Sequence, residues 1–196
     1  REEGLASLAQ AVAHVRAAGV AMTPADVRAI AYDYHKLQYE EEAQAFLEVY
    51  HEAMRGLSKP QQRDLAWETA RGVVGFGASL GGLGSRNRTL VRSLLDPIAP
   101  LGDDMEAVRF AVYALREHHR HSTTQMMRQL LVELLQLGWK PSQEVVQAMA
   151  EDLACKFEGT SSEADLQDIM AVLHVQLQAD ELLSLQEDES GVEVPR

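Results

Sequence analysis

Residues 122–157, STTQMMRQLLVELLQLGWKPSQEVVQAMAEDLACKF, contain the pattern that decides the fold. On both sides of a short break, apolar residues recur every three or four positions, which is the period of an amphipathic helix. Within the break, Gly138 is typical of a helix end, and Pro141-Ser142 is typical of a helix start. Ser122 to Thr124 provide N-cap candidates for the first helix. The stretch therefore predicts two helices joined by a short turn.

Residues typical of helix starts and helix ends recur through most of the chain, and no segment shows the alternation of polar and apolar residues that is typical of a strand. Gly19 and Gly56 end apolar periods, while Thr23-Pro24 and Ser58-Lys59-Pro60 are suited to begin helices. We therefore predict an all-α fold of about nine helices.

The predicted helices also resemble one another. Thr23-Pro-Ala-Asp-Val27, Gln61-Gln-Arg-Asp-Leu65 and Ser162-Glu-Ala-Asp-Leu166 each open a helix with an acid before the first buried position, and Val108 fits the same register less closely. Equating Val27, Leu65, Val108 and Leu166 gives steps of 38, 43 and 58 residues. The first two steps fit helical-hairpin repeats, and the third leaves room for an additional helix. An α-solenoid-like array of stacked hairpins is our leading interpretation, and an irregular bundle is the alternative.

We expect a single domain over residues 1–186. A glycine-rich stretch at residues 75–85 is predicted to be a loop between two helices. Residues 187–196 are acidic and lack periodicity, so they are predicted to form a disordered tail.

The segment Leu135-Gln-Leu-Gly-Trp-Lys-Pro-Ser142, with the later Ser162-Glu-Ala-Asp-Leu166, resembles the octotricopeptide and FAST-kinase-like repeat families. Pentatricopeptide repeats are related to them in architecture. This resemblance extends over roughly residues 22–180. It implies an α-solenoid that works in organellar RNA metabolism, on RNA directly or within a larger ribonucleoprotein. No position matches a base-reading residue of these families.

Charge is distributed unevenly along the chain. The formal net charge of −12 divides into −3 for residues 1–59, +2 for residues 60–140 and −11 for residues 141–196. A polyanion is therefore expected to meet only the middle of the chain. The single cysteine, Cys155, excludes an intrachain disulfide and a cysteine-based zinc site. No apolar run approaches the roughly 20 residues of a membrane span.

The glycine-rich stretch fails both nucleotide-binding patterns, since Leu80 stands at the third glycine of a dinucleotide fingerprint and Leu83 at the lysine of a P-loop. We predict neither a cofactor nor a metal site, and no catalytic constellation is evident. Arginines in and around the basic middle are the candidate RNA or phosphate contacts: Arg71, Arg86, Arg88, Arg92, Arg116, Arg120 and Arg128.

From these observations we expect a non-catalytic helical-repeat scaffold or adaptor in an organellar ribonucleoprotein assembly. Its expected partners are protein subunits, with RNA as a further candidate and no small-molecule substrate. A mitochondrial location is expected, and a plastid or cytoplasmic one stays open. Two alternatives also stay open: a single-stranded RNA-binding protein that uses the central arginines, and a helical interaction module outside RNA metabolism.

Overall fold

The computed structural model describes residues 7–33, 40–79, 84–118 and 124–157, and four single residues, Gln167, Met170, Ala171 and His174. The regular structure of these ranges is helical: α1 (Leu8–Ala17), α2 (Pro24–Asp33), α3 (Glu40–Arg55), α4 (Lys59–Ser79), α5 (Ser85–Leu95), a 3₁₀ turn (Asp96–Ile98), α6 (Met105–His118), α7 (Thr124–Gln136) and α8 (Gln143–Phe157). The predicted all-α fold is confirmed. The four single residues are helical, but the rest of the helix predicted after Thr160 and the 187–196 tail lie outside the described residues.

Each helix packs against the helix two places further along the chain. The odd-numbered helices contact one another in the order α1, α3, α5, α7, and the even-numbered helices in the order α2, α4, α6, α8. We call these two sets the odd row and the even row. The rows meet through the pairs α2–α3, α4–α5 and α6–α7. This neighbour pattern is the one that stacked helical hairpins produce.

The helix boundaries lie at the residues that the sequence predicts to begin and end helices. Gly19 has a φ of 71° and Gly138 a φ of 78°, a backbone region that disfavours side chains and suits a residue just past a helix end. At the start of α2, the Thr23 N–H and the Thr23 hydroxyl both bond Asp26 Oδ2, at 2.8 and 2.6 Å. In turn, the Asp26 N–H donates to Thr23 Oγ1 at 3.3 Å. The side chains of Thr23 and Asp26 therefore each accept the backbone N–H of the other residue, as in a capping box.

The loops before α6 and α8 are joined by backbone hydrogen bonds. The N–H of Leu101 donates to the Leu137 carbonyl at 3.0 Å, and the N–H of Gly102 to the Gly138 carbonyl at 2.9 Å. The N–H of Lys140 returns a bond to the Gly102 carbonyl at 2.7 Å, which makes a parallel bridge between the loops. The starts of α6 and α8 are therefore held together at one edge of the even row.

A single hydrophobic core lies between the rows. Helices α3 to α7 each contribute several buried side chains to it, whereas α1, α2 and α8 contribute two each among the residues whose side chains are described. The largest of the fully buried side chains are Trp67, Trp139, Tyr50, Phe46 and Phe110.

Part of the glycine-rich stretch predicted as a loop over residues 75–85 is helical. Helix α4 continues to Ser79, so residues 75–79 are helical, and Leu80 to Leu83 lie outside the described residues. The glycines have a packing role. A Cβ on Gly72 would lie 3.0 Å from the Cβ of Ala31 on α2, and one on Gly75 would lie 2.4 Å from the hydroxyl of Tyr113 on α6. The missing side chains therefore let α2 and α6 approach α4.

The additional helix predicted between Val108 and Leu166 is confirmed as α8, which begins at Gln143 and packs on α6. Val27, Leu65 and Val108 lie on α2, α4 and α6, three successive helices of the even row. Leu166, the fourth position of the predicted register, lies outside the described residues.

We predict that Gly72→Leu lowers the free energy of unfolding by about 2–3 kcal/mol, because its side chain would overlap Ala31 and force α2 from α4. Gly56→Leu is the matched control, since no atom lies within 4 Å of the corresponding Cβ, and we expect a change of less than about 0.5 kcal/mol. Urea denaturation followed by helical circular dichroism measures both. Equal stability of the two variants would contradict the close packing of α2 on α4.

Candidate interaction surface

Four pairs of neighbouring helices within the rows, α1–α3, α2–α4, α4–α6 and α5–α7, are tied by ion pairs in which an arginine meets a carboxylate far along the chain. We call the five arginines involved the arginine ladder. They are Arg16, Arg28, Arg63, Arg71 and Arg92. The arginine always belongs to the earlier helix and the carboxylate to the next helix of the same row or to its first cap, at separations of 32 to 41 residues.

On the odd row, the ladder joins α1 to α3 and α5 to α7. Arg16 lies between two carboxylates one helical turn apart, with Nη1 at 3.0 Å from Glu48 and Nη2 at 3.1 Å from Glu52. Hydrogen bonds to Glu48 and then to Glu52 raise the pKa of Arg16. Arg92 Nη1 donates to Glu133 at 3.1 Å and to the Gln136 side chain at 2.8 Å.

On the even row, the ladder joins α2 to α4 and α4 to α6. Arg28 binds Glu68, and Arg71 binds Glu106, which also binds Arg109 on its own helix. Burial by itself would raise the pKa of Glu106, but hydrogen bonds from Arg71 and then Arg109 outweigh it and hold the pKa below its ordinary value. The carboxylate therefore stays charged at neutral pH.

Asp104 is the most enclosed carboxylate of the ladder, with 12% of its side chain exposed. Its Oδ2 accepts hydrogen bonds from Arg63 and from the Trp67 indole N–H, the latter at 3.0 Å, and its Oδ1 accepts the backbone N–H of Glu106 at 3.0 Å. Burial would raise the pKa of Asp104, but the bonds from Glu106, Arg63 and Trp67 together hold it below its ordinary value. Asp104 thus caps α6 and binds it to α4.

The structure does not bring the seven predicted RNA-contacting arginines to one face. The six that lie in the described ranges occupy four helices of both rows, and Arg120 lies outside those ranges. Arg71 and Arg92 are ladder residues bound to the next helix, Arg88 is buried on α5, Arg116 is half-buried on α6, and Arg86 and Arg128 are exposed on α5 and α7.

This placement alters what the basic middle of the chain can do. Arg71 and Arg92 donate to Glu106 and Glu133, so a phosphate would have to compete with these carboxylates. Arg128 precedes Glu133 by five residues, which places it about 140° around α7 from the flank that meets Arg92. Arg92 and Arg128 therefore do not form one phosphate-binding surface.

The arginine ladder is not predicted by local sequence patterns, because each arginine and its carboxylate are far apart in the chain. A signal was nonetheless present, since each ladder arginine has an acidic residue roughly one predicted repeat step later. Glu42 lies in the acidic first turn of α3 and makes a further contact between residues far apart in the chain. In the structure it is buried, with 7% exposed, and its Oε2 accepts the N–H of Leu8 at the start of α1, at 2.6 Å.

Two further searches cover the described part of the chain only. None of its helices has both the length and the hydrophobicity of a membrane span. Among the same residues, no three histidine, cysteine or carboxylate side chains come close enough to share a metal ion.

Comparison with known proteins finds no matching family model, no matching curated protein and no matching solved structure.

We predict that Asp104→Asn lowers the free energy of unfolding by about 2 kcal/mol at neutral pH, because three hydrogen bonds to a charged acceptor are weakened. Asp103→Asn, at the exposed neighbouring position, is the matched control with an expected change of less than about 0.5 kcal/mol. Thermal and urea unfolding of both variants measure the difference.

The effect of Asp104→Asn is also expected to depend on pH. The folded pKa of Asp104 lies below its ordinary value of 3.8, so the stabilisation by its charge is complete above about pH 4 and is lost as the pH falls through the folded pKa. The stability difference between the wild type and Asp104→Asn should therefore be constant from about pH 5 to 7 and shrink below about pH 4. A difference that grew with acidity would contradict this account.

Proposed function

We propose that this chain is a non-catalytic helical-repeat scaffold that binds other proteins, with its hairpins stacked as an α-solenoid. The observation that carries the proposal is the packing of every helix, up to α6, on the helix two places ahead, which forms two rows with arginine-ladder pairs inside each row. In such an array the apolar faces are used for stacking, and the outer surfaces of both rows are left to partners.

The charges at these outer surfaces favour a protein partner over RNA. On α3, Glu40 and Glu41 are exposed, and the whole chain has a net charge of −12. Such a surface repels a polyanion and attracts basic or amphipathic protein segments. Direct RNA binding stays a second candidate only through Arg86 and Arg128, the two predicted contacts that are exposed.

The setting that we propose for the scaffold is an organellar ribonucleoprotein assembly, and a mitochondrial one in the first place. This part of the proposal rests on the resemblance of residues 135–142 and 162–166 to the octotricopeptide and FAST-kinase-like repeats. An acidic scaffold is suited to such an assembly, because the proteins that neighbour RNA are usually basic.

Affinity purification of the tagged chain from its source cells, with and without RNase, tests the proposal. We expect the same protein partners in both halves, because the contacts are between proteins. Partners that disappear with RNase, together with RNA recovered on the bait, would favour the RNA-binding alternative instead.

A charge reversal at the two exposed arginines makes the test sharper. Arg86→Glu combined with Arg128→Glu should leave the recovered protein partners unchanged. If the same double variant abolished binding to a single-stranded oligonucleotide that the wild type binds with a steep salt dependence, the chain would be an RNA-binding protein. The absence of any reproducible partner in either half would overturn the scaffold proposal.

A further inference from the structure

We propose that the face of α3 on which α1 lies is a helix-binding groove, and that α1 is its exchangeable occupant. The partner that fits is an amphipathic helix with the residue pattern of α1. In this pattern an aliphatic residue is followed by a second one four residues later and by an arginine four residues after that. This inference rests on the proposed scaffold function and deepens it, since it states which surface binds and what chemistry the partner has.

The first observation is how little of α1 is buried. Of its ten residues only Leu8 and Val12 are buried, as few as in α2, whereas α3 buries seven residues and α5 five. Among the described helices, α1 packs chiefly on α3, whereas α3 also packs on α2 and α5. An element with few buried contacts opens at a lower free-energy cost than the rest of a structure.

The second observation is that α3 contributes three polar anchors to α1, and that each of the three is a carboxylate. Glu42, which is buried, accepts the N–H of Leu8 at 2.6 Å, where the helix dipole of α1 favours a negative charge. Glu48 and Glu52 hold Arg16 two turns later. The groove thus recognises a helix start at one end and a guanidinium at the other.

The third observation explains why the occupant can be exchanged. The side chains of Arg16, Glu48 and Glu52 are 43%, 51% and 39% exposed, so their ion pairs are hydrated and are weakened by salt. A helix as short as α1 is marginal by itself and depends on its docking site. Its covalent link to α2 supplies a high effective concentration, which a partner in trans has to overcome.

The test uses the full chain and a fluorescent peptide of residues 7–22. Val12→Asp places a charge on the buried face of α1 and is expected to dislodge it, while α3 is left unchanged. We expect the peptide to bind the Val12→Asp chain at least about tenfold more tightly than the wild type, whose groove is occupied. Ala13→Asp, which adds the same charge at the neighbouring exposed position, should bind the peptide like the wild type.

Two further variants separate the groove from a general loss of structure. A peptide with Arg16→Glu should bind the Val12→Asp chain about tenfold more weakly. A chain that combines Val12→Asp with Glu48→Lys and Glu52→Lys should lose the gain. If the Val12→Asp chain keeps its helical content and cooperative unfolding but binds the peptide no better than the wild type, or if the Arg16→Glu peptide binds equally well, the groove proposal is overturned.

Purification from cells distinguishes this inference from the proposed function. Partners whose recovery rises with Val12→Asp and falls with Glu48→Lys and Glu52→Lys would support both. Partners recovered equally by all the chains would leave the scaffold function intact and overturn the groove. Peptide binding as expected, without any cellular partner, would support the groove and overturn the scaffold function.

Discussion

The close approach of α2 and α6 to the two sides of α4 is the constraint on which the rest of the structure depends. Helix α4 packs on α2, α5 and α6. It carries the buried Trp67, whose ring centroid lies 5.5 Å from the ring centroid of Phe110 on α6. Gly72 and Gly75 provide the space that Ala31 and Tyr113 fill. Glycine weakens a helix by about 1 kcal/mol relative to alanine. These two residues therefore lower the intrinsic stability of α4 but allow closer packing of α2 and α6 on it.

The arginine ladder changes the functional meaning of the basic middle of the chain. By composition, residues 60–140 have a small positive charge and are suited to a polyanion. In three dimensions, Arg63, Arg71 and Arg92 lie against carboxylates of the next helix, and Arg88 is buried. The positive charge of this segment is therefore only partly accessible to a polyanion, because these arginines hold neighbouring helices together.

Helix caps and helix ends were predictable from the sequence, and contacts between helices far apart in the chain were not. Thr23 and Gly138 mark helix ends in the structure as they do in the sequence, because caps depend on residues a few positions apart. The helical state of residues 75–79 was not predictable, since glycines favour a loop unless a neighbouring helix needs the space. The candidate site depends on ion pairs 32 to 41 residues apart, and only the packing of the rows shows which arginine meets which carboxylate.

The ladder also contributes to the alignment of neighbouring helices along their axes. In the even row it acts beside specific contacts, because Ala31 packs where Gly72 leaves space and the Tyr113 hydroxyl lies where Gly75 leaves space. A slip of α2 or α6 along α4 by one helical turn, about 5.4 Å, would separate the arginines from their carboxylates and would also move Ala31 and Tyr113 away from these glycines. Exposed ion pairs contribute little to stability, so the ladder favours the same alignment that the glycine contacts require and adds little to the free energy of unfolding.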